Sequence, residues 1–411
     1  MSSDNKSIVF ILDSYPVDSQ AFITNQIVGV LKAGYQVKIA VNTLNKIKES
    51  SQESIIRDNN ILDFVTITNV KSTNNKFNKR LALLVLMIKN ISLLKAFLII
   101  LKSNSIDKLR LCYKLTGYKS LLKEELFHVQ FANNGFFIAK LKALGLLKEK
   151  AKIVTTFHGY DAHTTSKDIE ERKKQLIPIF KYSNHIIVNS NYLKNQVLNL
   201  GCPIQKIMRI GVAYNSDEFK FNKNKIEGKI KLISIGRLIE LKGHVYGLKV
   251  MQKLLALGVD VDYTIIGDGQ EKENLETVIN NYKLNKNVHL LGSKSQKEIS
   301  NQLSKSDIFL MTSITDRNKR CETFGVVSVE AQAVGVPVVA FNSGGVSTTI
   351  KNGISGFLVA EKDCDAMVEA VLKLINDKDM LNTMSINASR FAKKKFSLEK
   401  VVEEHIKIYK L

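Results

Sequence analysis

The chain has 411 residues, enough for two domains and too many for one ordinary core. Its shares of hydrophobic (45%) and charged (24%) residues are those of a soluble globular protein. The net charge is +21, and it is uneven: residues 1–208 hold 30 Lys and Arg against 15 Asp and Glu, residues 209–411 hold 30 against 24. A basic excess on one half points to a polyanionic partner there, a nucleic acid or an anionic membrane surface. The lysines are scattered, and no Arg-rich arm, zinc-finger spacing or RNA-recognition signature accompanies them. The membrane surface is therefore favoured over nucleic acid, with a lysine-rich composition that has no such partner as the plain alternative. Cys112, Cys202, Cys321 and Cys364 are far apart and form no CxxC, so neither a metal site nor a disulfide framework is indicated. That fits a reducing cytoplasm.

The apolar run Ile8 to Leu12 is too short for a signal-peptide core. It reads instead as a first strand, followed by a helix from Phe22 to Ala33 and a strand from Val37 to Val41. The loop between them, DSYPVDSQAF, has no glycine-rich dinucleotide fingerprint. A further strand is expected at Phe64 to Val70 and helices from 79 to 122. Within these, Leu81 to Leu101 is apolar but broken by Lys89, Asn90 and Lys95. That pattern suits one or two helices buried in a core or lying in a bilayer interface, and no uninterrupted membrane span. Strands ending near Phe131, Phe157 and Asn189 alternate with helices at 134–144, 168–182 and from 191. Residues 209–228 loosen into an expected linker.

A second alternation starts at Lys231, with strands at LISIG, 261–266, 288–291 and 307–312 separated by helices at 243–257, 270–282 and 295–303. Val326 to Val334 reads as a helix stopped by Gly335, and Val336 to Phe341 as a buried strand. Gly356 to Val359 and helices from 363 to 408 complete the chain. Two β-α alternations of similar size predict two doubly wound α/β domains facing one another across a cleft, with ligands at the carboxyl ends of the strands. The domains are expected at 1–208 and 209–385, with 386–411 a terminal helix packing back towards the first.

The loops after strands carry the candidate chemistry. Gly236-Arg237 ends one strand, and Lys242 precedes the next helix, so both cations can reach a diphosphate at that helix start; two solvated cations are the plain alternative. Gly267 sits in the turn Gly267-Asp268-Gly269, where a ligand or another backbone can come close. His158 follows the strand IVTTF beside Gly159, placed to touch a substrate hydroxyl or phosphate. Asp260 and Asp262 form a D-x-D at the amino end of a strand and read as a solvated strand start, not a metal site.

The stretch RNKRCETFGVVSVEAQAVGVPVVAFNSGG holds Glu322 and Glu330 at an E-x7-E spacing. Inside one helix that spacing would leave the carboxylates roughly 80° apart. With Glu322 before the helix, the two reach one cleft from different elements. The amides of Phe324, Gly325 and Val326 are expected to face a phosphate. One exposed loop glutamate and one exposed helix glutamate is the plain alternative.

Together SIGRLIELKG, IIGDG, VHLLG, ETFGVVSVEAQAVGVPVVAFNSGGV and GISGFLV resemble, in order and spacing, the retaining glycosyltransferases of family 4, which have the GT-B fold. SQAFITNQI, HVQFANNG and TFHGYDAH are similar to the branch that builds colanic acid and related capsular exopolysaccharides. The resemblance implies a metal-independent hexosyltransferase without a cofactor, whose donor is a uridine- or guanosine-linked nucleotide sugar. Its acceptor would be a lipid-linked saccharide at the inner membrane face, the enzyme being cytoplasmic and peripheral there, with no nucleic acid as partner. On the matching residues, Arg237 and Lys242 would hold the diphosphate, and Glu322 would bind donor-sugar hydroxyls. Gly236, Gly267, Phe324, Gly325 and Val326 would contact the donor, Glu330 the ribose, and His158 the sugar near the reaction centre. Ala331-Gln332-Ala333 stands where relatives carry Ala-Met-Ala, and Gln332 is expected to face out of its helix. A sugar-nucleotide epimerase, a phosphorylase and a non-catalytic partner subunit are the competing readings.

Overall fold

A computed structural model describes residues 7–48, 50, 52–70, 84–105, 107–163, 168–222 and 228–411. The chain divides into two compact units, Met1–Val188 with Gln196–Met208 and His405–Leu411, and Asn189–Asn195 with Arg209–Glu404.

The first unit is built on a seven-stranded sheet: β1 (Ser7–Tyr15), β2 (Gln36–Leu44), β3 (Val65–Ile67), β4 (Leu126–Gln130), β5 (Lys152–Thr156), β6 (His185–Val188) and β7 (Ile207–Arg209). The spatial order is β3-β2-β1-β4-β5-β6-β7. The pairings of β1 through β6 and β3 are parallel, so helices must cover both faces. That is why Ile8 to Leu12 is a continuous apolar run with every residue buried. One face packs Val9, Ile11, Phe127 and Ile153 against Phe97 and Ile138 of flanking helices. The expected strand at 64–70 is shorter than its apolar pattern, ending at Ile67.

The second unit holds β8 (Ile230–Ile235), β9 (Val261–Ile266), β10 (Val288–Leu290), β11 (Ile308–Met311), β12 (Val338–Phe341) and β13 (Gly356–Val359). Their order is β10-β9-β8-β11-β12-β13, all parallel. Successive side chains of a strand point to opposite faces. Accordingly Leu232 joins a core with Leu248 and Tyr263, while Ile233 joins another with Phe309, Val329 and Phe396. Strand order reverses between β1 and β4 in one sheet and between β8 and β11 in the other. In open parallel sheets ligands gather beyond the carboxyl ends of strands at such a reversal.

Two of these expectations gain local detail. Of the linker expected at 209–228, residues 223–227 lie outside the described residues, and Tyr214 and Phe219 are buried in the core with Ile233, because these apolar residues sit where the second unit needs them. Leu81 to Leu101 is neither wholly buried nor wholly exposed. Residues 81–83 lie outside the described residues. Beyond them Leu93, Phe97 and Ile100 face the core, while Leu84, Val85, Ile88, Ile91, Leu94 and Leu98 are exposed.

Candidate active site

The second unit brings most of the candidate residues together at the β8–β11 reversal. Beyond β8 the amide of Gly236 donates to the carbonyl of Ile266 (2.9 Å) and that of Leu238 to Asp268 (2.9 Å), tying the loop after β8 to the turn after β9. The turn can lie this close only because Gly267 has no side chain. At its φ of +148°, a Cβ would stand 1.9 Å from the Gly236 carbonyl oxygen. Gly243, at φ +62°, begins the helix His244–Ala256 and seats it against the carbonyl of Thr312 beyond β11. Thr312 Oγ1 returns a hydrogen bond to the Lys242 carbonyl (3.1 Å).

Lys242 runs its stem across Gly236, where a Cβ would be 3.4 Å from the lysine Cδ, and its Nζ forms an ion pair with Glu322. Both side chains are largely buried, 18% and 14% exposed. Burial works to raise the Glu322 carboxyl, but the charge and hydrogen bond of Lys242, with amides of Phe324 and Thr323, outweigh it and hold the pKa below the usual carboxylate value. The Phe324 amide thereby serves its own loop's glutamate. Gly325, at φ +87°, starts the helix Val326–Val334, whose first amides have no acceptor within the helix. Gly344 and Gly345 come close to this same loop. The Gly345 amide donates to the Glu322 carbonyl (2.6 Å), and Cβ atoms at Gly344 and Gly345 would lie 2.3 Å and 1.9 Å from the carbonyl oxygens of Glu322 and Thr323.

Arg237 is exposed, and its guanidinium has no hydrogen bond or ion pair among the described residues. Glu330 is the converse case. It lies buried on the helix Val326–Val334 with no partner among the described residues, and burial pushes its carboxyl up to about 7. The loops and the helix beyond β8 and β11 thus carry one cation that solvent covers, one buried carboxylate without a partner among the described residues, and one preformed ion pair.

Gln332 corrects an expectation. It is fully buried, its amide donating to the carbonyls of Ser328 (2.9 Å) and Thr349 (2.7 Å). A side chain one turn from the site thereby ties the helix to the segment after Gly345. Gln332→Met should cost about 1–3 kcal/mol in urea unfolding, since it strands the buried Thr349 carbonyl.

His244 was missed in the sequence, although it directly follows Lys242-Gly243. It is buried, and burial together with the Lys242 charge, against the opposing backbone contacts at Gly236 and Arg237, brings its pKa down to about 4. It lines a cavity of about 10 Å³ with Ser234, Lys242 and Thr312, room for roughly one water. Asp260 and Asp262 both approach Lys229 Nζ, at 3.6 Å and 2.8 Å. They lie at the amino end of β9, away from the carboxyl ends where the other candidates gather.

His158 belongs to the first unit, beyond β5. The Asp161 carboxylate accepts the amides of His158 (3.0 Å), Gly159 (3.0 Å) and Ala132 (2.8 Å), which fixes the loop. The Gln130 amide nitrogen donates to Gln26 Oε1 (3.0 Å), which turns its carbonyl towards His158 Nε2 at 2.7 Å. With that carbonyl as acceptor, Nε2 carries the proton. The ring packs between Phe22 and Phe131, and burial, helped by nearby His405, lowers its pKa to about 3. It is a neutral imidazole. Gln130 and Asp161 stood in the sequence inside HVQF and HGYD, but nothing in one sequence marks which neighbour orients a histidine.

Comparison with known proteins decides the family. The profile described as "Glycosyl transferases group 1" matches residues 215–391. Across 89% of the chain and 90% of the relative, the sequence is 28% identical to the amylovoran biosynthesis glycosyltransferase AmsK of Erwinia amylovora. Residues 215–391 thus belong to the group 1, or family 4, glycosyltransferases, and the likeness to AmsK runs through nearly the whole chain. This glycosyltransferase is also 30% identical to the putative colanic acid biosynthesis glycosyltransferase WcaL of Salmonella typhimurium, over 64% of the chain and 65% of that protein. Among solved structures, that of Anabaena Alr3699/HepE in complex with UDP-glucose superposes with a TM-score of 0.71 at 15% identity, covering 98% of this chain and 100% of that one. TarM does so with 0.70 at 14%, covering 100% and 99%. The fold is GT-B, and the chain is an enzyme of the glycosyltransferase class.

Proposed function

We propose that this enzyme moves a hexosyl group from a nucleotide sugar, with retention, to a saccharide acceptor in exopolysaccharide, capsule or lipopolysaccharide synthesis. The carrying observation is the set of charges at the β8–β11 reversal: Arg237 without a partner, Lys242 held by Glu322, and Glu330 buried without one. A donor supplies what each lacks. Its diphosphate gives Arg237 and Lys242 an anion, and its ribose hydroxyls give Glu330 two donors. Sugar hydroxyls give Glu322 new bonds as Lys242 turns to phosphate. As the sugar–phosphate bond breaks, negative charge grows on the leaving phosphate beside fixed cations, which lowers the barrier without a metal. In a front-face reaction that phosphate also takes the acceptor's proton, so neither glutamate acts as nucleophile. A trapped covalent glycosyl-Glu322 would overturn this. His158, kept neutral, serves as a hydrogen-bonding contact for the sugar and not as a proton carrier. The names of AmsK and WcaL support an exopolysaccharide product, and HepE's complex supports a uridine nucleotide.

The decisive experiment is a thermal-shift series with UDP, GDP and their sugar conjugates. A ligand at a hundredfold its Kd adds about 2.7 kcal/mol of stability, so the true donor should raise Tm clearly and the wrong base should not. No shift with any nucleotide would refute the reading.

We also place the enzyme at the cytoplasmic face of an anionic membrane. Among the described residues no helix is long and apolar enough to cross one. Supporting a peripheral position, Leu84, Ile88 and Ile91 are 57%, 69% and 72% exposed beside exposed Lys89 and Lys95. Apolar anchors flanked by cations suit an anionic interface. Ile88→Asn with Ile91→Asn should weaken binding to phosphatidylglycerol vesicles roughly tenfold or more, and added salt should weaken the parent protein too.

A further inference from the structure

The first unit has a cavity of its own that nothing above has used. It measures about 490 Å³, within the ordinary range for small-molecule sites. It lies at the carboxyl side of the sheet, beside the strand reversal. Asp13 comes from β1, Asn42 and Thr43 from β2, and Thr68 and Asn69 from just beyond β3. The opposite wall is the helix Lys108–Gly117, which offers Arg110, Tyr113 and Lys114. Residues three and four apart share a helix face, so these three form one surface. The helix can seat against the strand end only because residue 117 is glycine, where a Cβ would stand 2.2 Å from the Thr68 carbonyl oxygen.

The polar groups of this cavity divide into those already engaged and those left over. Asp13 accepts from Asn42 Nδ2 at 2.9 Å, and Asp107 accepts the Arg110 amide at 3.1 Å to cap its helix. Each carboxylate thus holds a neighbour of its own, and the Asp13 charge also acts on Lys114. Arg110 and Lys114 form no ion pair among the described residues, and one turn apart they repel each other. The Lys114 ammonium lies 4.9 Å over the Phe137 ring, which attracts the charge but does not neutralise it. Burial and the Arg110 charge lower its pKa against the opposing pull of Asp13, the response of a cation whose counter-charge does not offset its desolvation. Tyr113 is only 6% exposed, yet its hydroxyl has no hydrogen-bond partner, an expensive arrangement unless something else supplies one.

We propose that this cavity is the acceptor subsite, and that it takes a saccharide bearing an anionic oxygen group, with Arg110 and Lys114 on the anion and Tyr113, Asn42 and Thr43 on sugar hydroxyls. The assignment rests on the reading of the chain as a transferase to a saccharide. The anion is a carboxylate, as in a uronic acid, or a phosphate, as in a phosphate-linked glycan. The pairing of cations with hydroxyl-binding groups selects against neutral sugars, because a neutral sugar leaves both cations unpaired.

The test uses the full chain and ligand-observed NMR, with methyl glucuronide, glucose 1-phosphate and methyl glucoside as probes. UDP is titrated first alone and then held saturating, so that the donor site is filled before the sugars are added. One or both anionic sugars should bind, and the neutral glucoside roughly tenfold more weakly. Arg110→Gln should weaken the anionic sugar by roughly tenfold and leave the glucoside unchanged. Tyr113→Phe, which removes only a hydroxyl without a partner, should weaken all three. UDP binding should be unaffected by either variant. A response to the carboxylate alone assigns a uronic-acid acceptor, and a response to the phosphate alone a phosphate-linked one. Equal binding of all three sugars, an unresponsive Arg110→Gln, or no sugar binding by a protein that binds UDP would overturn the proposal. Failure of UDP to bind would instead strike the donor reading, leaving the sugar titrations to judge the cavity by themselves.

Discussion

Arg237→Ala should lower kcat by about 10²–10³-fold while leaving the urea midpoint unchanged. The two halves of that expectation have separate causes. The Arg237 side chain is exposed and bonded to nothing among the described residues, and surface substitutions away from special features fall within about 0.5 kcal/mol. Its loop does not depend on the side chain, being held by the Gly236 and Leu238 amides. The guanidinium is therefore dispensable to the fold, and any loss of rate reports chemistry. Because its attraction grows as charge moves onto the leaving phosphate, kcat should fall more than KM rises. Steady-state rates with the donor found by thermal shift, set beside an unfolding curve, check both halves. Full activity would remove Arg237 from the mechanism and weaken the donor reading with it.

Alanine at Lys242 or Glu322 is a poorer test. Either removal leaves the other charge largely buried and alone, which costs about 3–5 kcal/mol in buried pairs. A dead Lys242→Ala could then be an unfolded one. Glu322→Gln with Lys242→Met keeps volume and removes both charges, so loss of transfer with an intact unfolding curve would be interpretable.

The residues of this pair were legible in the sequence, but their mutual contact was not. Lys242 and Glu322 are 80 positions apart, and each was marked by standing in a loop beyond a strand. Parallel sheets make such loops converge, so periodicity alone brought Arg237, Lys242, Gly267 and Glu322 to one end of one sheet. Which of them pair depends on close backbone approaches, at Gly236 to Gly267 and Gly345 to Thr323, that a sequence records only as glycines. Gln332 failed for a related reason. A polar residue on an apolar helix is expected outside, yet here the Thr349 carbonyl needed a donor. The cavity beside β2 was illegible because Asn42, Arg110 and Tyr113 carry no motif and meet only through the sheet's order.

Glu330→Gln should stabilise the protein in alkaline solution and weaken nucleotide binding at the same time. Burial raises the Glu330 carboxyl from 4.5 to about 7. Below pH 4.5 the group is protonated in both folded and unfolded chains and contributes no penalty. Between 4.5 and 7 the unfolded chain ionises while the folded one keeps its proton, so stability falls as pH rises. Above 7 the loss is complete and amounts to about 3.5 kcal/mol as an upper bound, at about 1.4 kcal/mol per pKa unit. Glutamine carries no charge to desolvate. The variant should therefore match the parent near pH 4 and exceed it by up to that amount near pH 8, read from urea unfolding at the two values. A buried carboxylate that costs stability is tolerable where a ligand uses it. Two ribose hydroxyls donating to Glu330 would do so, and glutamine, with one acceptor oxygen, should lose roughly tenfold in nucleotide affinity. A variant that gains alkaline stability and binds the nucleotide as tightly as the parent would take Glu330 out of the donor site.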